Sequence, residues 1–376
     1  MPETWETIDY DKDGVCNICK NIENKTDKID WKAREKEFKE LIAQYKGKGD
    51  YDCIVPFSGG KDSTYVLWAI VKKFGLKPLV VNFDHGFYRP KMLENIEKIL
   101  KVLKCDYHRF RADWRVVKKV MVESLIRKGD FCWHCHTGVY AYPMQIAVKH
   151  KIPLIIWGEQ AAEYTAYYGY DEKEENDESK FNRFINLGIT AEDMVGMVND
   201  EKITERDLRP FSYPKLKDLK AIKYRSICYG SYFYWDTKKQ VKKIKDEIGW
   251  ENDEVEGVPP GYGYEKIECM FTGVRDWTKY IKRGLGRTAH LAGIDIRKGR
   301  MTREEGMKLI KEYDGKRPAS LDHFLKVVGL TEEEYMEIVL KHAIYPWKFD
   351  TSKEPRKGEK MSDQDGWDTT KIVEDY

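Results

Sequence analysis

Residues 51–68 read YDCIVPFSGGKDSTYVLW and decide the fold. The apolar run at 51–57 predicts a buried strand, Gly59 and Gly60 predict a tight turn, and Val66, Leu67 and Ile70 recur at helical spacing. The free N–H groups and the dipole at the start of a helix attract anions. This strand, turn and helix therefore predict a phosphate-binding loop.

Each residue type in this loop has a chemical reason to be there. The glycines let the backbone approach an anion, the serine hydroxyls donate to its oxygens, and Lys61 adds positive charge. Asp62 does not favour a bare phosphate, so it predicts a magnesium ion that bridges phosphate groups. The alternative is a structural turn with a serine cap. The predicted loop residues are Ser58, Gly59, Gly60, Lys61, Asp62 and Ser63.

The same alternation of strand and helix continues along the chain. Further strands are predicted at 78–84, 106–112 and 153–159, with helices at 92–104, 114–128 and 138–150. This rhythm predicts an α/β fold with a doubly wound parallel sheet, and such sheets bind ligands at the carboxyl ends of their strands. The loop at 58–63, Asp84 and Gly158 all lie at such ends.

Five regions follow from changes in this pattern. The alternation stops after residue 160, where a charge run precedes a mixed segment, and amphipathic helices dominate from about residue 236. The predicted division is an N-terminal segment at 1–50, a nucleotide-binding core at 51–160, an insertion or cap that forms part of the substrate site at 161–235, a helical region at 236–350 and a polar tail at 351–376.

Composition excludes several classes of protein. The 66 basic and 64 acidic side chains leave a net charge of +2, which argues against a protein that wraps nucleic acid. No apolar run approaches the roughly 18 residues of a membrane span, and the acidic opening does not resemble a signal peptide. We therefore expect a cytoplasmic protein with no membrane insertion.

Four of the eight cysteines form two C-x-x-C pairs, Cys16 with Cys19 and Cys132 with Cys135. Two such pairs supply the four thiolates of a structural zinc site, which would pin the N-terminal segment to the core. An iron–sulfur cluster, redox or sulfur-transfer thiols, and unligated thiols are the alternatives.

FSGGKDS after an apolar strand resembles the signature of the PP-loop ATP pyrophosphatases, which have the adenine-nucleotide alpha-hydrolase fold. The resemblance implies that ATP is split into AMP and pyrophosphate while a substrate oxygen is adenylated. It also implies that the first and fourth strands are neighbours, which brings Gly158 and Glu159 beside the loop. Asp84 and Gly158 would then border the adenosine, and Lys61, Asp62 and Glu159 would be catalytic, with Glu159 helping the metal or the incoming ammonia.

The C-terminal block at 283–318, which contains GRTAHLAGIDIRKGRMTREE, is dense in arginine and glycine and includes a Thr302-x-x-Glu305 capping box. With the loop, both cysteine pairs, DHG at 84–86 and the GE of 158–159, it resembles the N-acetyl sugar amidotransferase family of surface-polysaccharide (lipopolysaccharide, O-antigen) biosynthesis over roughly residues 14–345. This implies that the acetamido group of a free or nucleotide-linked sugar becomes an acetamidino group.

The resemblance also assigns candidate substrate residues and partners. Arg287, Arg297 and Arg300 are candidates for holding substrate phosphates or a carboxylate, and Asp295 for orienting one of them. Surface ion pairs and capping are their alternative roles. Ammonia would come from a glutaminase of the histidine-biosynthesis type with a channel-forming subunit, because none of the cysteines lies in a glutaminase motif. A homo-oligomer is compatible with the sequence.

Three other functions fit part of this pattern. A tRNA-modifying PP-loop enzyme of the thiolase or lysidine-synthase type would use the cysteine pairs for sulfur or a cluster. Amidation of a sugar carboxylate would use the same activation by ATP. A non-catalytic nucleotide sensor would not need the magnesium carboxylate of Asp62.

Overall fold

A five-stranded parallel sheet forms the centre of the molecule. The computed structural model describes residues 1–158, 169–170, 172–352 and 356–357, and the statements below concern these residues. The strands follow the order β3-β2-β1-β4-β5 across the sheet. They are β1 (Cys53–Pro56), β2 (Pro78–Asp84), β3 (Asp106–Arg111), β4 (Leu154–Trp157) and β5 (Arg225–Cys228). The predicted parallel α/β sheet is confirmed.

Helices precede, alternate with and follow these strands. Those of the first 150 residues are α1 (Asn17–Asp27), α2 (Trp31–Ala43), α3 (Lys61–Trp68), α4 (Pro90–Leu103), α5 (Trp114–Lys128) and α6 (Trp133–His150). Short helices then lead to β5, namely α7 (Glu178–Lys180), α8 (Ala191–Val198), α9 (Glu205–Leu208) and α10 (Leu216–Ala221). Single turns of 3-10 or π type occupy Ala69–Lys73, Phe181–Ile185, Arg209–Phe211 and Tyr229–Ser231.

The C-terminal region is helical, as the sequence predicts. Its helices are α11 (Thr237–Ile248), α12 (Thr272–Arg283), α13 (Arg287–Arg297), α14 (Arg303–Tyr313), α15 (Ser320–Val328) and α16 (Glu332–Leu340). A parallel pair of two-residue strands, β6 (Lys316–Arg317) and β7 (Arg356–Lys357), lies among them. The predicted capping box begins α14, where Thr302 Oγ1 accepts from the Glu305 N–H and Glu305 accepts from the Thr302 N–H.

Both faces of the sheet are covered because successive side chains of a strand point to opposite sides. On one face, Val55 of β1 packs in a core with Val66 of α3 and Ile96 of α4. On the other, Ile54 packs in a core with Met144 of α6. A third core joins α5 to α8, α12, α15 and α16, so α5 connects the sheet layer to the C-terminal helices.

Two elements differ from the sequence-based prediction. β5 lies inside the segment predicted as an insertion and pairs with β4; its four residues, RSIC, are too short to show a strand pattern. Helix α6 begins at Trp133 rather than near residue 138. Burial overrides the weak helix propensity of the Cys and His residues there, since Trp133 is fully buried and its Nε1 donates to the Asn186 and Ile189 carbonyls at 3.0 and 3.1 Å.

The structure does not support the predicted zinc site. Among the described residues, which include all eight cysteines, no three Cys, His, Asp or Glu side chains form a group that could hold a metal ion. The Sγ atoms of Cys16 and Cys19 lie 3.4 Å apart, near Arg297. Cys132 and Cys135 have other neighbours, Cys269 and Arg275. The two pairs are therefore held in different surroundings, one by the N-terminal segment and one by α6.

Hydrogen bonds and an ion pair attach the N-terminal segment to the rest of the molecule. Thr4 Oγ1 donates to the Arg283 carbonyl at 2.6 Å, and the Arg283 guanidinium contacts the Thr4 carbonyl and pairs with Glu6. Further along, buried Lys25 donates to the Trp235 carbonyl at 3.0 Å. These contacts tie residues 1–27 to α12 and to the segment after β5.

Candidate functional site

The predicted phosphate loop lies between the carboxyl end of β1 and the first residue of α3. Gly59 has φ +78°, a left-handed conformation that other residues rarely adopt. A Cβ atom at Gly59 would also lie 2.5 Å from Ile96 Cγ1 and 2.6 Å from Met92 Sδ. The close packing of α4 and the backbone angle both require glycine at this position.

Hydrogen bonds inside the loop hold it in one conformation. The Ser58 N–H donates to Ser63 Oγ at 3.2 Å, and Ser63 Oγ donates to the Gly60 carbonyl at 3.2 Å. The Gly59 carbonyl accepts from Thr64 Oγ1 at 3.1 Å and from Trp250 Nε1 at 3.0 Å. Within the described part of the chain, no side chain caps the N-terminus of α3. That end of the helix can therefore face an anion.

Lys61 and Asp62 lie together at this helix start. Lys61 Nζ is 2.8 Å from Asp62 Oδ2 and 3.0 Å from Glu265 Oε1. Asp62 Oδ1 is buried and has no hydrogen-bond partner among the described residues. An unpartnered carboxylate oxygen beside a phosphate loop suits a magnesium ion, which usually takes one or two carboxylates together with phosphate and water oxygens. The residues present thus fit the predicted ion.

Glu265 is a site residue that the sequence analysis missed. Its side chain is only 8% exposed. Burial alone would raise the pKa of this carboxyl, but the positive charges of Lys61 and Arg287 lower the pKa to about 2. Glu265 therefore stays ionised near neutral pH. No pattern in the segment YEKIECMF indicates this role, because the contact joins residues about 200 positions apart.

Glu268 is a second carboxylate near the loop. A Cβ atom added to Gly60 would lie 3.1 Å from Glu268 Oε2. The short segment that carries both glutamates therefore covers the loop from the side of the C-terminal region. Gly60 leaves room for this approach.

The structure places the other predicted nucleotide residues at the same edge of the sheet. β1 and β4 are neighbours, and a Cβ atom on Gly158 would lie 3.6 Å from Asp62 Cβ. Asp84 ends β2, but its side chain is fully buried and pairs with Arg109 and Arg111. Burial alone would raise the pKa of the Asp84 carboxyl, but the neighbouring positive charges outweigh burial and hold this pKa below its usual value. Glu159 lies outside the described residues.

The predicted substrate residues fall into three places. Arg287 begins α13 and forms a forked pair with Asp276 at 2.8 and 3.0 Å. Asp295 lies 3.5 Å from Arg300 and accepts hydrogen bonds from Tyr262 and Lys238. Arg297 lies instead near the cysteine pair of the N-terminal segment.

A cavity of about 80 Å³ lies beside Arg287. Asp314, which lines it, accepts from the N–H groups of Gly286, Thr288 and Ala289, so the N-terminus of α13 is already capped. The wall of this cavity carries acidic side chains, basic side chains and the Trp277 ring. This combination suits a ligand rich in hydroxyl groups. Its lining includes Glu256, Asp276, Trp277, Arg287, Asp314 and Arg317.

No helix in the described residues is both long enough and apolar enough to cross a membrane.

Residues 262–362 match a family described as "LPS biosynthesis protein WbpG-like, C-terminal domain". The match begins three residues before Glu265 and includes the residues that line the cavity beside Arg287 except those at 255–258.

Two further comparisons concern longer parts of the chain. An uncharacterized protein of Methanocaldococcus jannaschii is 28% identical over 160 residues, which are 42% of this chain and 56% of that protein. The chain therefore matches just over half the length of this relative. A solved structure of an NMN synthetase from Francisella tularensis aligns with 76% of this chain and 93% of its own at 10% identity and a TM-score of 0.37. The match at residues 262–362, about a quarter of the chain, indicates similarity to a domain of a lipopolysaccharide-biosynthesis family.

Proposed function

We propose that this protein is an ATP-dependent enzyme that forms AMP and pyrophosphate and converts the acetamido group of a sugar into an acetamidino group. The proposed pathway class is surface-polysaccharide biosynthesis. The observation that carries the proposal is the 3.0 Å contact between Lys61 and Glu265. It joins a loop suited to phosphate to a domain similar to a lipopolysaccharide-biosynthesis family.

The loop supports the binding of a triphosphate by its two terminal phosphates. Backbone N–H groups at the start of α3, which no side chain among the described residues caps, the Ser58 hydroxyl and the Lys61 ammonium can act as donors. Gripping the β- and γ-phosphates leaves the α-phosphorus open to attack and makes pyrophosphate the leaving group. Asp62 would hold a magnesium ion, which neutralises charge on the phosphates when bound.

The proposed reaction consists of two substitutions, one at the α-phosphorus of ATP and one at the imidoyl carbon. The acetamido oxygen attacks the α-phosphorus, the bond to the bridging oxygen breaks, and pyrophosphate leaves with that electron pair. The amide nitrogen loses its proton, which gives an imidoyl adenylate. Ammonia then adds to the imidoyl carbon, AMP leaves, and the amidine remains. Activation is needed because an amide oxygen is a poor leaving group until it belongs to AMP.

The cavity beside Arg287 is the proposed sugar site. Trp277 offers an aromatic surface, and Glu256 and Asp276 offer hydrogen-bond acceptors for hydroxyl groups. The positive charge of Arg287 helps to lower the pKa of the Glu265 carboxyl, and Glu265 contacts Lys61 of the loop. We assign Arg287 to the sugar, and Arg300, oriented by Asp295, to the phosphates or carboxylate of a nucleotide-linked substrate. Arg297, which lies near Cys16, remains a candidate for the same role as Arg300.

Ammonia in this proposal comes from a separate glutaminase of the histidine-biosynthesis type, with a channel-forming subunit. Glutaminases of this kind use a reactive cysteine thiolate. In this chain burial raises the pKa of Cys105 to about 11 and that of Cys269 to about 12. Burial also raises the pKa of the Cys53 and Cys228 thiols. These four thiols are protonated near neutral pH and so do not suit the role of that nucleophile.

The test is an assay of the purified chain with ATP, magnesium, ammonium and a panel of sugars. The panel contains acetamido sugars without a carboxylate, both free and nucleotide-linked, and acidic sugars without an acetamido group. We expect AMP and pyrophosphate, together with a product in which NH has replaced O, only from acetamido sugars. Formation of ADP and phosphate, or AMP release that requires tRNA and ignores sugar, contradicts the proposal. Reaction of the acidic sugars alone indicates carboxylate amidation.

A further inference from the structure

The first C-x-x-C pair has a geometry of its own at the start of α1. The Sγ atoms of Cys16 and Cys19 lie 3.4 Å apart, and the Cys19 N–H donates to the Cys16 carbonyl at 2.9 Å. A backbone bond between residues i and i+3 is typical of a turn whose first and last Cα atoms lie less than about 7 Å apart. Disulfides join Cα atoms that are roughly 4.4–6.8 Å apart. The turn therefore holds the two residues near the separation that a disulfide needs.

A short hairpin before α1 fixes the backbone of Cys16. Tyr10 and Cys16 form an antiparallel bridge. Asp11 closes the tip of this hairpin, because its N–H donates to the Val15 carbonyl at 3.1 Å and its Oδ1 accepts from the Val15 N–H at 2.9 Å. Asp11 Oδ2 also pairs with Lys20 of α1 at 2.6 Å. The hairpin and the first turn of α1 are thus held together, so a bond between the two thiols requires side-chain rotation but little movement of the backbone.

The two thiols differ in their access to solvent. Cys16 is only 4% exposed, whereas Cys19 is half-buried. An oxidant in solution therefore reaches Cys19 first, and Cys16 is close enough to react second. A hydrogen bond from one thiol to the other favours the thiolate at the acceptor, and the thiolate is the nucleophile in exchange with disulfides.

The second C-x-x-C pair is a matched comparison within the same chain. Cys132 and Cys135 have the same spacing at the start of α6. In the described part of the chain, only the first pair has a hydrogen bond between its two thiols. Equal spacing with different thiol geometry separates the effect of the motif from the effect of the fold.

We propose that Cys16 and Cys19 are a dithiol–disulfide couple that reacts with small disulfides such as oxidised glutathione. The Cys19 thiolate attacks one sulfur of the oxidant, whose sulfur–sulfur bond breaks, and one thiolate leaves. The Cys16 thiolate then attacks Cys19 Sγ in the mixed disulfide, and the second thiolate leaves. The cysteines lose two electrons and two protons in total, and the oxidant becomes two thiols. An excess of a dithiol reverses both steps. This inference replaces the shared zinc site for this pair and does not depend on the proposed ATP chemistry.

Equilibration of the full chain with mixtures of reduced and oxidised glutathione tests the couple. Alkylation of the remaining thiols and mass spectrometry of the peptides then show which cysteines have reacted. We expect Cys16 and Cys19 to lose alkylation together in oxidising mixtures, with a peptide that contains their disulfide, and to regain it in excess dithiothreitol. Cys132 and Cys135 should lose alkylation at least about tenfold more slowly.

Serine variants identify the order of the two steps. Cys16→Ser should trap a mixed disulfide between Cys19 and glutathione, because no second thiol expels the glutathione. Cys19→Ser should leave the less accessible Cys16 mostly alkylatable. Cys132→Ser is the matched control and should not change the oxidation of Cys16 and Cys19. Thermal unfolding shows whether each variant is folded; if one is not, the comparison of the two pairs in the wild-type chain decides.

Three results would overturn the inference. Cys16 and Cys19 could stay alkylatable in the most oxidising mixture, or both pairs could oxidise at equal rates, which would indicate general thiol oxidation. The purified chain could also hold one equivalent of zinc that protects Cys16 and Cys19 from alkylation. None of these measurements uses ATP, so failure of the proposed function would leave their outcome unaffected.

Discussion

The indole nitrogen of Trp250 donates a hydrogen bond to the backbone carbonyl of Gly59 at 3.0 Å. Trp250 follows α11, and Gly59 is the loop residue with the left-handed backbone. A residue about 190 positions away therefore helps to fix the conformation of the phosphate loop.

Replacing Trp250 with Phe removes this donor and keeps most of the buried ring. We expect the free energy of unfolding to fall by about 1 kcal/mol and the affinity for ATP to fall several-fold. Denaturation in urea and calorimetric titration measure the two effects. Trp68→Phe is the control, since Trp68 Nε1 donates to Glu247 at 2.7 Å outside the loop. If both variants bind ATP equally well, the bond from Trp250 does not order the loop.

Gly59→Ala should disrupt the loop more than an ordinary glycine replacement does. The left-handed backbone costs an alanine roughly 1–2 kcal/mol, and the clash with Ile96 adds about 1–3 kcal/mol. Gly188 has φ +73° with no atom within 4 Å of the added Cβ, so Gly188→Ala shares only the first cost. Thermal unfolding and ATP titration compare the two variants. Equal stabilities would show that α4 yields to the added methyl group.

Asp62→Asn tests the predicted magnesium ligand. The amide keeps the size of the side chain and an acceptor for Lys61, but it loses the charge that attracts the ion. We expect AMP formation to fall on the order of a hundredfold, with a higher magnesium concentration needed for half of the remaining rate. The melting temperature should change little. Unaltered magnesium dependence of AMP formation would contradict the assignment.

Lys279 predicts an unusual dependence of stability on pH. Its Nζ lies 4.1 Å from the centre of the Trp5 ring, and burial, together with the charge of Arg287, lowers the pKa from 10.5 to about 7. Between these values the unfolded chain binds more protons at this group than the folded chain, so its contribution makes stability rise with pH.

Lys279→Met should therefore be more stable than wild type below about pH 7, with the difference shrinking as the pH rises toward 10.5. Urea denaturation at several pH values measures this difference. Exposed Lys308 on α14 supplies the control, and Lys308→Met should leave the slope unchanged. A difference between wild type and Lys279→Met that does not vary with pH would refute the perturbed pKa.

The sequence predicts well those elements whose pattern is local. The structure has β2 at Pro78–Asp84 and α5 at Trp114–Lys128, with the predicted bounds, because each combines an apolar pattern with clear ends. The Thr302 capping box is equally local. The turn between β1 and α3 is equally local, and the binding of phosphate by its six consecutive residues stays a prediction.

The other features of the candidate site depend on contacts between residues that lie far apart in the sequence. Glu265 and Glu268 reach the loop only because the C-terminal region packs on it, and no spacing in the sequence encodes that approach. The zinc prediction paired Cys16 and Cys19 with Cys132 and Cys135 on spacing alone. Spacing shows that each pair could bind a metal, but it does not show whether folding brings the two pairs together.

The attachment of Thr4 and Glu6 to Arg283 has a consequence for how the protein is made. These partners are separated by 279 and 277 positions, so the start of the chain leaves the ribosome long before α12 does. Until α12 has been synthesised, the surface that binds Thr4 and Glu6 does not exist. Cys16 and Cys19 belong to an unfinished chain during that time. Contacts of such high sequence separation form late and slowly. The N-terminal segment therefore docks on α12 only after 279 further residues have been synthesised.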